Sequence, residues 1–176
     1  LALLDDQNQP VKASEAGEIC VRGPLVMDGY HGLPEATAET LAGGWLHTGD
    51  VGRFDEDGFL YLSDRKAYMI ISGGVNIYPQ EAENMLVTHP KVMDAAVFGI
   101  PDDDMGQSVK GVIQLVDPAE ASDDLAEELL VWLRDRLAHY KCPRTISFET
   151  QLPRTDTGKL YKQELITRYS APTPAG

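Results

Sequence analysis

The chain has 176 residues, 43% of them hydrophobic, enough for one ordinary domain or for a small domain joined to part of another, and too apolar for a wholly disordered chain. Fifteen Lys and Arg against 28 Asp and Glu give a net charge of −13, which argues against sequence-independent nucleic-acid binding and against adhesion to an anionic membrane surface. The longest uncharged run, Ala67 to Gln80, carries two glycines and a proline and is too short and too interrupted to be a transmembrane segment.

Residues 1 to 62 read as short strands and turns: Glu18–Arg22, Leu25–Tyr30, Trp45–His47, Arg53–Phe54 and Gly58–Leu62. Gly23-Pro24, Gly43-Gly44 and Asp57-Gly58 punctuate them, the last as a hairpin turn, and Pro34 to Leu41 is the one helical stretch. From Asp64 the pattern changes. Tyr68–Ile71 is a short apolar strand, and Pro79–Thr88 a helix with proline in its first turn that stops before Pro90. Val92–Ile100 and Val109–Val116 are strands separated by the acidic turn Pro101–Met105. Ser122–Ala138 is the clearest helix, with Leu125, Leu129, Leu130, Leu133 and Leu137 on one stripe and Ser122 placed to cap an acidic first turn. Thr145–Phe148 is a strand, Leu152–Lys159 a loop, Leu160–Tyr169 a helix, and the tail Ala171–Gly176 is expected to fray. Strands and helices in this order make a small α+β domain, preceded by a β-rich region.

Cys20 and Cys142 form no CxxC pair, so reduced thiols in a cytoplasmic protein are expected rather than a disulfide framework. His31, His47, His89 and His139 share no ligand spacing, and no metal site is expected among them. Residue 1 is Leu and no targeting signal follows it, so a piece of a longer polypeptide is expected. Between residues 134 and 168, eight basic residues stand against four acidic ones, a positive segment in an acidic chain that suits a small polyanion or, equally, a solvated surface.

Three segments carry candidate chemistry. Gly44-Trp-Leu-His-Thr-Gly-Asp50 puts a carboxylate on a glycine-tightened turn, where it can accept hydrogen bonds from a vicinal diol or serve only as a turn residue. Ser72-Gly73-Gly74 permits close backbone approach by a ligand, or is a plain turn between strand and helix, while Arg65 just before it suits a phosphate, a ribose or a surface carboxylate. Pro153-Arg-Thr-Asp-Thr-Gly-Lys159 fails the phosphate-loop pattern GxxxxGK[ST] at both ends, leaving Lys159 as a mobile point charge beside two threonines.

Taken together and in this order, these segments resemble the adenylate-forming superfamily: acyl- and aryl-CoA synthetases, nonribosomal adenylation domains and firefly-type luciferases. Gly17-Glu-Ile-Cys-Val-Arg-Gly23 with Gly29-Tyr30 also resembles that superfamily, just ahead of its ribose-binding motif. The resemblance implies that residues 1–63 are the β-rich end of the large AMP-binding domain, 64–67 a hinge pivoting at Ala67, and 68–170 the mobile C-terminal domain, with 171–176 a tail. It implies Asp50 and Arg65 at the ATP ribose, Lys159 as the catalytic lysine of adenylation, and Gly73 and Gly74 in the loop used for thioester formation. Met105, Tyr140, Lys141 and Arg144 match the segments that meet the CoA nucleotide, although Cys142 departs from a basic residue found in some relatives.

Within the superfamily the likeness is greatest to fatty-acyl-CoA synthetases, so the implied partners are ATP, CoA and a carboxylic acid, a fatty acid first. Mg²⁺ is an implied cofactor whose ligands are expected outside this chain, in an upstream N-terminal domain that also holds the acid pocket. The fragment alone is expected to be inactive. The alternatives are an adenylation domain that loads a carrier protein, and a detached binding or regulatory module without chemistry.

Overall fold

A computed structural model describes residues 1–12 and 15–170. The tail expectation at Ala171–Gly176 lies outside them. The chain divides into two compact units, Leu1–Ala67 and Tyr68–Gly176.

The first unit is a four-stranded antiparallel sheet in chain order: β1 (Ala2–Leu4), β2 (Gly17–Val21), β3 (Leu46–Phe54) and β4 (Leu60–Arg65). Leu3, Leu4, Ile19, Cys20 and Val51 are its buried apolar residues. The Asp57-Gly58 hairpin forms as expected. Asp55 closes it by accepting the backbone N–H groups of Asp57 and Phe59 at 3.0 and 2.8 Å, and Gly58 takes φ +83°. Helix α1 (Pro34–Thr40) begins at its proline, where the missing N–H costs nothing.

Two expectations fail here. Leu25–Tyr30 is not a strand: Leu25 is 99% exposed, and the Tyr30 N–H donates to the Thr37 hydroxyl at 2.9 Å instead of to a neighbouring strand. Thr48-Gly49-Asp50 is not a turn either, because Leu46-His47 and Arg53-Phe54 belong to one nine-residue strand, β3, which carries the motif as a bulge, with Trp45 just before it.

The second unit opens with a hairpin, β5 (Ile70–Ser72) and β6 (Val75–Ile77), so Gly73-Gly74 joins two strands rather than a strand and a helix. Both glycines take positive φ, +56° and +79°, as a two-residue loop of the primed type demands. Helix α2 (Pro79–Leu86) follows, then β7 (Val92–Asp102), β8 (Gly106–Leu115), α3 (Asp123–Arg134), β9 (Thr145–Phe148) and α4 (Lys162–Ser170). Strand β8 is central, antiparallel to β7 and parallel to β9.

Alternation along β7 explains why the sheet is covered on both faces. Ala95 and Val97 join Leu86, Leu129, Leu133 and Ile113 in one core, whereas Ala96 and Phe98 join Val112, Leu152 and Leu165 in the other. Helices α2 and α3 therefore cover one face and α4 the opposite one. Truncating a fully buried residue such as Leu129 to Ala would cost about 2–5 kcal/mol.

The Ser122 hydroxyl caps α3 by accepting the Leu125 N–H at 3.2 Å, as its sequence position implies. The helix ends at Arg134, short of Ala138, because the Arg136 guanidinium turns back to donate to the Trp132 carbonyl at 3.0 Å and stacks on that indole. Leu137 still packs on the core from the turn beyond. Helix α4 starts at Lys162 rather than Leu160, since Leu160 bridges back to Arg154. The buried Lys162 ammonium meets Glu83 of α2 at 2.7 Å, and the same carboxylate accepts the Val97 N–H, so one buried ion pair ties α4, α2 and β7 together.

Candidate functional site

In the first unit the β2–β3 register passes from Cys20 opposite His47 to Glu18 opposite Val51, so the single residue Ile19 faces Thr48, Gly49 and Asp50. Gly49 absorbs the bulge at φ +74° and donates its N–H to Glu18 Oε1 at 3.0 Å. The Thr48 hydroxyl donates to the Ile19 carbonyl at 2.8 Å and accepts the Asp50 N–H at 3.1 Å. The bulge presents Asp50 directly opposite Arg65 across the β3–β4 ladder. Their side chains meet at 3.1 Å between Nε and Oδ1, with 37% of Asp50 and 65% of Arg65 exposed. One carboxylate oxygen and several guanidinium N–H groups thus face outward side by side, an arrangement able to receive a diol and the phosphate attached to it.

Behind the bulge, Glu18, Cys20 and His47 converge, which sequence spacing alone does not reveal, since His47 is 27 residues from Cys20 and meets it only through the strand register. His47 Nδ1 lies 3.0 Å from Glu18 Oε2 and 3.4 Å from Cys20 Sγ, while its Nε2 faces the Ala42 carbonyl at 3.3 Å. Lys66 reaches Glu18 Oε2 at 3.1 Å and Asp6 at 2.7 Å. Burial by itself raises the Glu18 carboxyl, but hydrogen bonds from His47, Lys66 and the Gly49 N–H bring it below its ordinary value. The hydrogen bond with Asp6, supplemented by Glu18, holds the Lys66 ammonium above its ordinary value despite burial. Burial, and secondarily the Glu18 charge, push the Cys20 thiol up to about 11, so this cysteine is no nucleophile at neutral pH. Ala67, the residue on which the hinge expectation falls, is exposed and is the last residue of this unit.

In the second unit the lysine loop is a small hairpin. Arg154 bridges to Leu160, Thr155 exchanges backbone hydrogen bonds with Lys159 and Gly158, and Gly158 takes φ +82°. Arg154 secures it at both ends, donating to the Gly158 carbonyl at 2.7 Å and pairing with Asp94 at the start of β7. Lys159 stands exposed on this hairpin, and no ion pair engages its ammonium among the described residues.

The remaining candidates gather at the other end of β7. The Gly73 N–H donates to the Met105 carbonyl at 2.9 Å, and a Cβ on Gly73 would stand 2.4 Å from Met105 Cε. Asp102 accepts the Met105 N–H at 2.9 Å and faces Arg144 Nη1 at 3.6 Å. Gln107 Oε1 accepts the Ile71 N–H at 2.8 Å, fixing β5 beside β8. Gly73, Met105 and Arg144 are therefore brought together. Gly74 shares their turn, and Tyr140 is 54% exposed on the 3₁₀ turn His139–Lys141. Lys141 is not a free cation, because both oxygens of Glu81 hold its ammonium at 2.8 and 2.7 Å. Asp102 lies eight positions beyond Asp94 in extended chain, about 26 Å at the usual strand rise, so Lys159 and the Gly73–Met105 turn sit at opposite ends of one strand.

No helix of the described residues is long and apolar enough to cross a membrane. The one group of three candidate metal ligands among the described residues is Glu18, Cys20 and His47, which includes a thiol and an imidazole, whereas Mg²⁺ takes oxygen ligands.

Comparison with known proteins places the chain. The AMP-binding enzyme C-terminal domain matches residues 81–159. Feruloyl-CoA synthase of an Amycolatopsis species is 48% identical over 167 residues, covering 95% of this chain and 33% of the relative. Long-chain-fatty-acid–CoA ligase of Salmonella typhimurium is 42% identical over 163 residues, covering 93% of this chain and 28% of the relative. Among solved structures, the amide bond synthetase McbA of Marinactinospora thermotolerans is 40% identical with a TM-score of 0.84, covering 96% of this chain and 33% of that one. The chain thus spans about a third of the length of the curated relatives it matches. These matches show that the chain belongs to the AMP-binding, adenylate-forming superfamily, whose C-terminal domain it carries.

Proposed function

We propose that this chain is the C-terminal portion of an ATP-dependent acid–thiol ligase that activates a carboxylic acid as acyl-AMP and then forms its CoA thioester. The separation of two kinds of chemistry on one strand carries this reading: a free cation at the Asp94 end of β7 and a backbone-shaped turn at the Asp102 end. A carboxylate is a poor electrophile, and its adenylate ester supplies the leaving group. In the first half-reaction Lys159 meets the negative charge developing on the acyl carboxylate and the α-phosphate as pyrophosphate departs. Asp50 accepts the ribose hydroxyls, and Arg65 steadies both that carboxylate and the ribose. In the second, the Gly73-Gly74 turn and Met105 line the approach of the thiol, with Tyr140 against adenine, Arg144 toward the CoA phosphates and Lys141 beside them, held on Glu81. Ala67 is the pivot that lets one small domain present each end of β7 in turn.

The acid is a fatty acid in this reading, as in the Salmonella relative; the feruloyl-CoA synthase relative favours an aryl acid as the second reading. The acid pocket, the Mg²⁺ ligands and the rest of the nucleotide site belong to an upstream domain of the same polypeptide, and the reaction is cytoplasmic. The test uses the full-length protein and measures acid-dependent pyrophosphate exchange and thioester formation separately, with fatty and aryl acids offered in parallel. CoA thioester with neither acid class, or no exchange with any carboxylate, overturns the assignment.

A further inference from the structure

We infer that Glu18, Cys20 and His47 form a site for a thiophilic divalent cation of the Zn²⁺ class, in competition with Lys66. The donors are a carboxylate oxygen, a thiol sulfur and an imidazole nitrogen, all within 4.8 Å of one another, a mixed set that suits Zn²⁺ and rejects Mg²⁺ and Ca²⁺. A tetrahedral Zn²⁺ with ligands at about 2.0–2.3 Å has edges of roughly 3.3–3.6 Å between its donors. The observed separations of 3.0 Å from His47 Nδ1 to Glu18 Oε2 and 3.4 Å from Nδ1 to Cys20 Sγ need to open by only a few tenths of an ångström.

The surroundings orient these donors as a metal's outer partners do. Without the cation His47 Nδ1–H donates to Glu18; on binding, the Ala42 carbonyl, 3.3 Å from Nε2, accepts the ring hydrogen in the other tautomer and so frees the Nδ1 lone pair for the cation. Glu18 Oε1 is occupied by the Gly49 N–H at 3.0 Å, which turns Oε2 toward His47. Glu18 is 7% and His47 16% exposed, so the cluster is shielded but open on the histidine side, where water completes the fourth position.

Binding is a displacement. The cation takes the Cys20 sulfur as thiolate, its proton passing to solvent, and takes Glu18 Oε2 from Lys66, whose ammonium stays on Asp6 at 2.7 Å. Two anionic ligands and one neutral one balance the dication. Occupancy acts on the residue immediately before Ala67.

The experiment strips the full-length protein carrying this chain with a chelator and titrates it with Co²⁺. One equivalent should produce a thiolate-to-cobalt charge-transfer band that Cys20→Ser abolishes and Cys142→Ser retains. Lys66→Met should tighten binding about tenfold, since it removes the competing cation beside Glu18. Because a variant of the buried Cys20 can fail to fold, X-ray absorption on the wild-type protein with one equivalent of Zn²⁺ provides the second reading, with one sulfur at about 2.3 Å and the remaining ligands nitrogen or oxygen. A band that persists in Cys20→Ser, a sulfur-free shell, or unchanged or weaker binding by Lys66→Met overturns the site. These readouts do not use enzymatic activity, so the proposal stands or falls separately from the ligase reading.

Discussion

At one end of β7, Arg154 spends its guanidinium on Asp94 and the Gly158 carbonyl, and Lys159 stands on the closed hairpin without an ionic partner among the described residues. At the other end the cations are engaged and the shaping is done by backbone: Lys141 lies on Glu81, Arg144 faces Asp102, and Gly73 is bonded to Met105. Under the proposed function, the difference matches what each end would do. Stabilising charge that appears only during reaction needs a preorganised cation not already neutralised, whereas guiding a thiol past a surface needs a close backbone approach.

The largest expected effect falls on the Asp94 end. Lys159→Ala in the full-length protein should slow adenylation by about 10²–10³-fold, the usual consequence of deleting one preorganised electrostatic stabiliser. Thioester formation from preformed acyl-adenylate should change far less. Equal losses in both half-reactions, measured separately, would erase the distinction between the two ends.

The reciprocal variant tests the Asp102 end. A side chain at Gly73 meets Met105 Cε at 2.4 Å and must adopt φ +56°, so Gly73→Val should distort the turn at a cost of about 1–3 kcal/mol. Thioester formation should fall roughly 10–100-fold with adenylation spared; a variant defective in pyrophosphate exchange as well would show that the turn serves both steps.

The two ends were unequally legible in the sequence, and the reason lies in how far apart their partners are. The lysine hairpin is made from neighbours, with Thr155 bonded to Lys159 four residues away, so a local motif contains most of its geometry. The same is true of the Asp57-Gly58 hairpin, the Ser122 cap and strand β9. Lys141 and Glu81 are 60 residues apart, and nothing local says that this lysine is already neutralised. Strand β6 escaped because Val75–Ile77 is only three residues long and follows a glycine pair that reads equally well as the lead into a helix. The bulge at Thr48–Asp50 and the Glu18–Cys20–His47 cluster depend on the β2–β3 register, which hydrophobic pattern leaves open where half-exposed residues alternate irregularly.

Ala67→Pro asks whether both ends must be presented in turn. Alanine offers no side chain to exchange polar partners between two orientations, so the proposed pivot would turn by backbone torsion, and proline would fix φ. The expected outcome is about a tenfold loss in thioester formation, with adenylation changed by less. Equal retention of both half-reactions in a folded variant would separate the two-ended surface from any rotation at this residue.

The smallest effect distinguishes two cations on one segment. Arg144 is 54% exposed and only loosely opposed by Asp102 at 3.6 Å, so most of its N–H groups are available to a phosphate, and an exposed contact of this kind contributes about 0.5–1 kcal/mol. Arg144→Ala should therefore raise KM for CoA about 2–5-fold and remove discrimination against CoA lacking its 3′-phosphate. Lys141→Ala is the wrong comparison, because it exposes the Glu81 carboxylate and would weaken phosphate binding by repulsion even if Lys141 never touched the ligand. The informative variant removes both charges: Lys141→Met with Glu81→Gln leaves the local charge unchanged. Its KM for CoA should remain within about twofold of wild type, since a lysine held by two carboxylate oxygens has little charge left to offer. If the double variant instead loses as much CoA affinity as Arg144→Ala, the Glu81 pair opens when CoA arrives and Lys141 becomes the phosphate-reading cation at this end of β7.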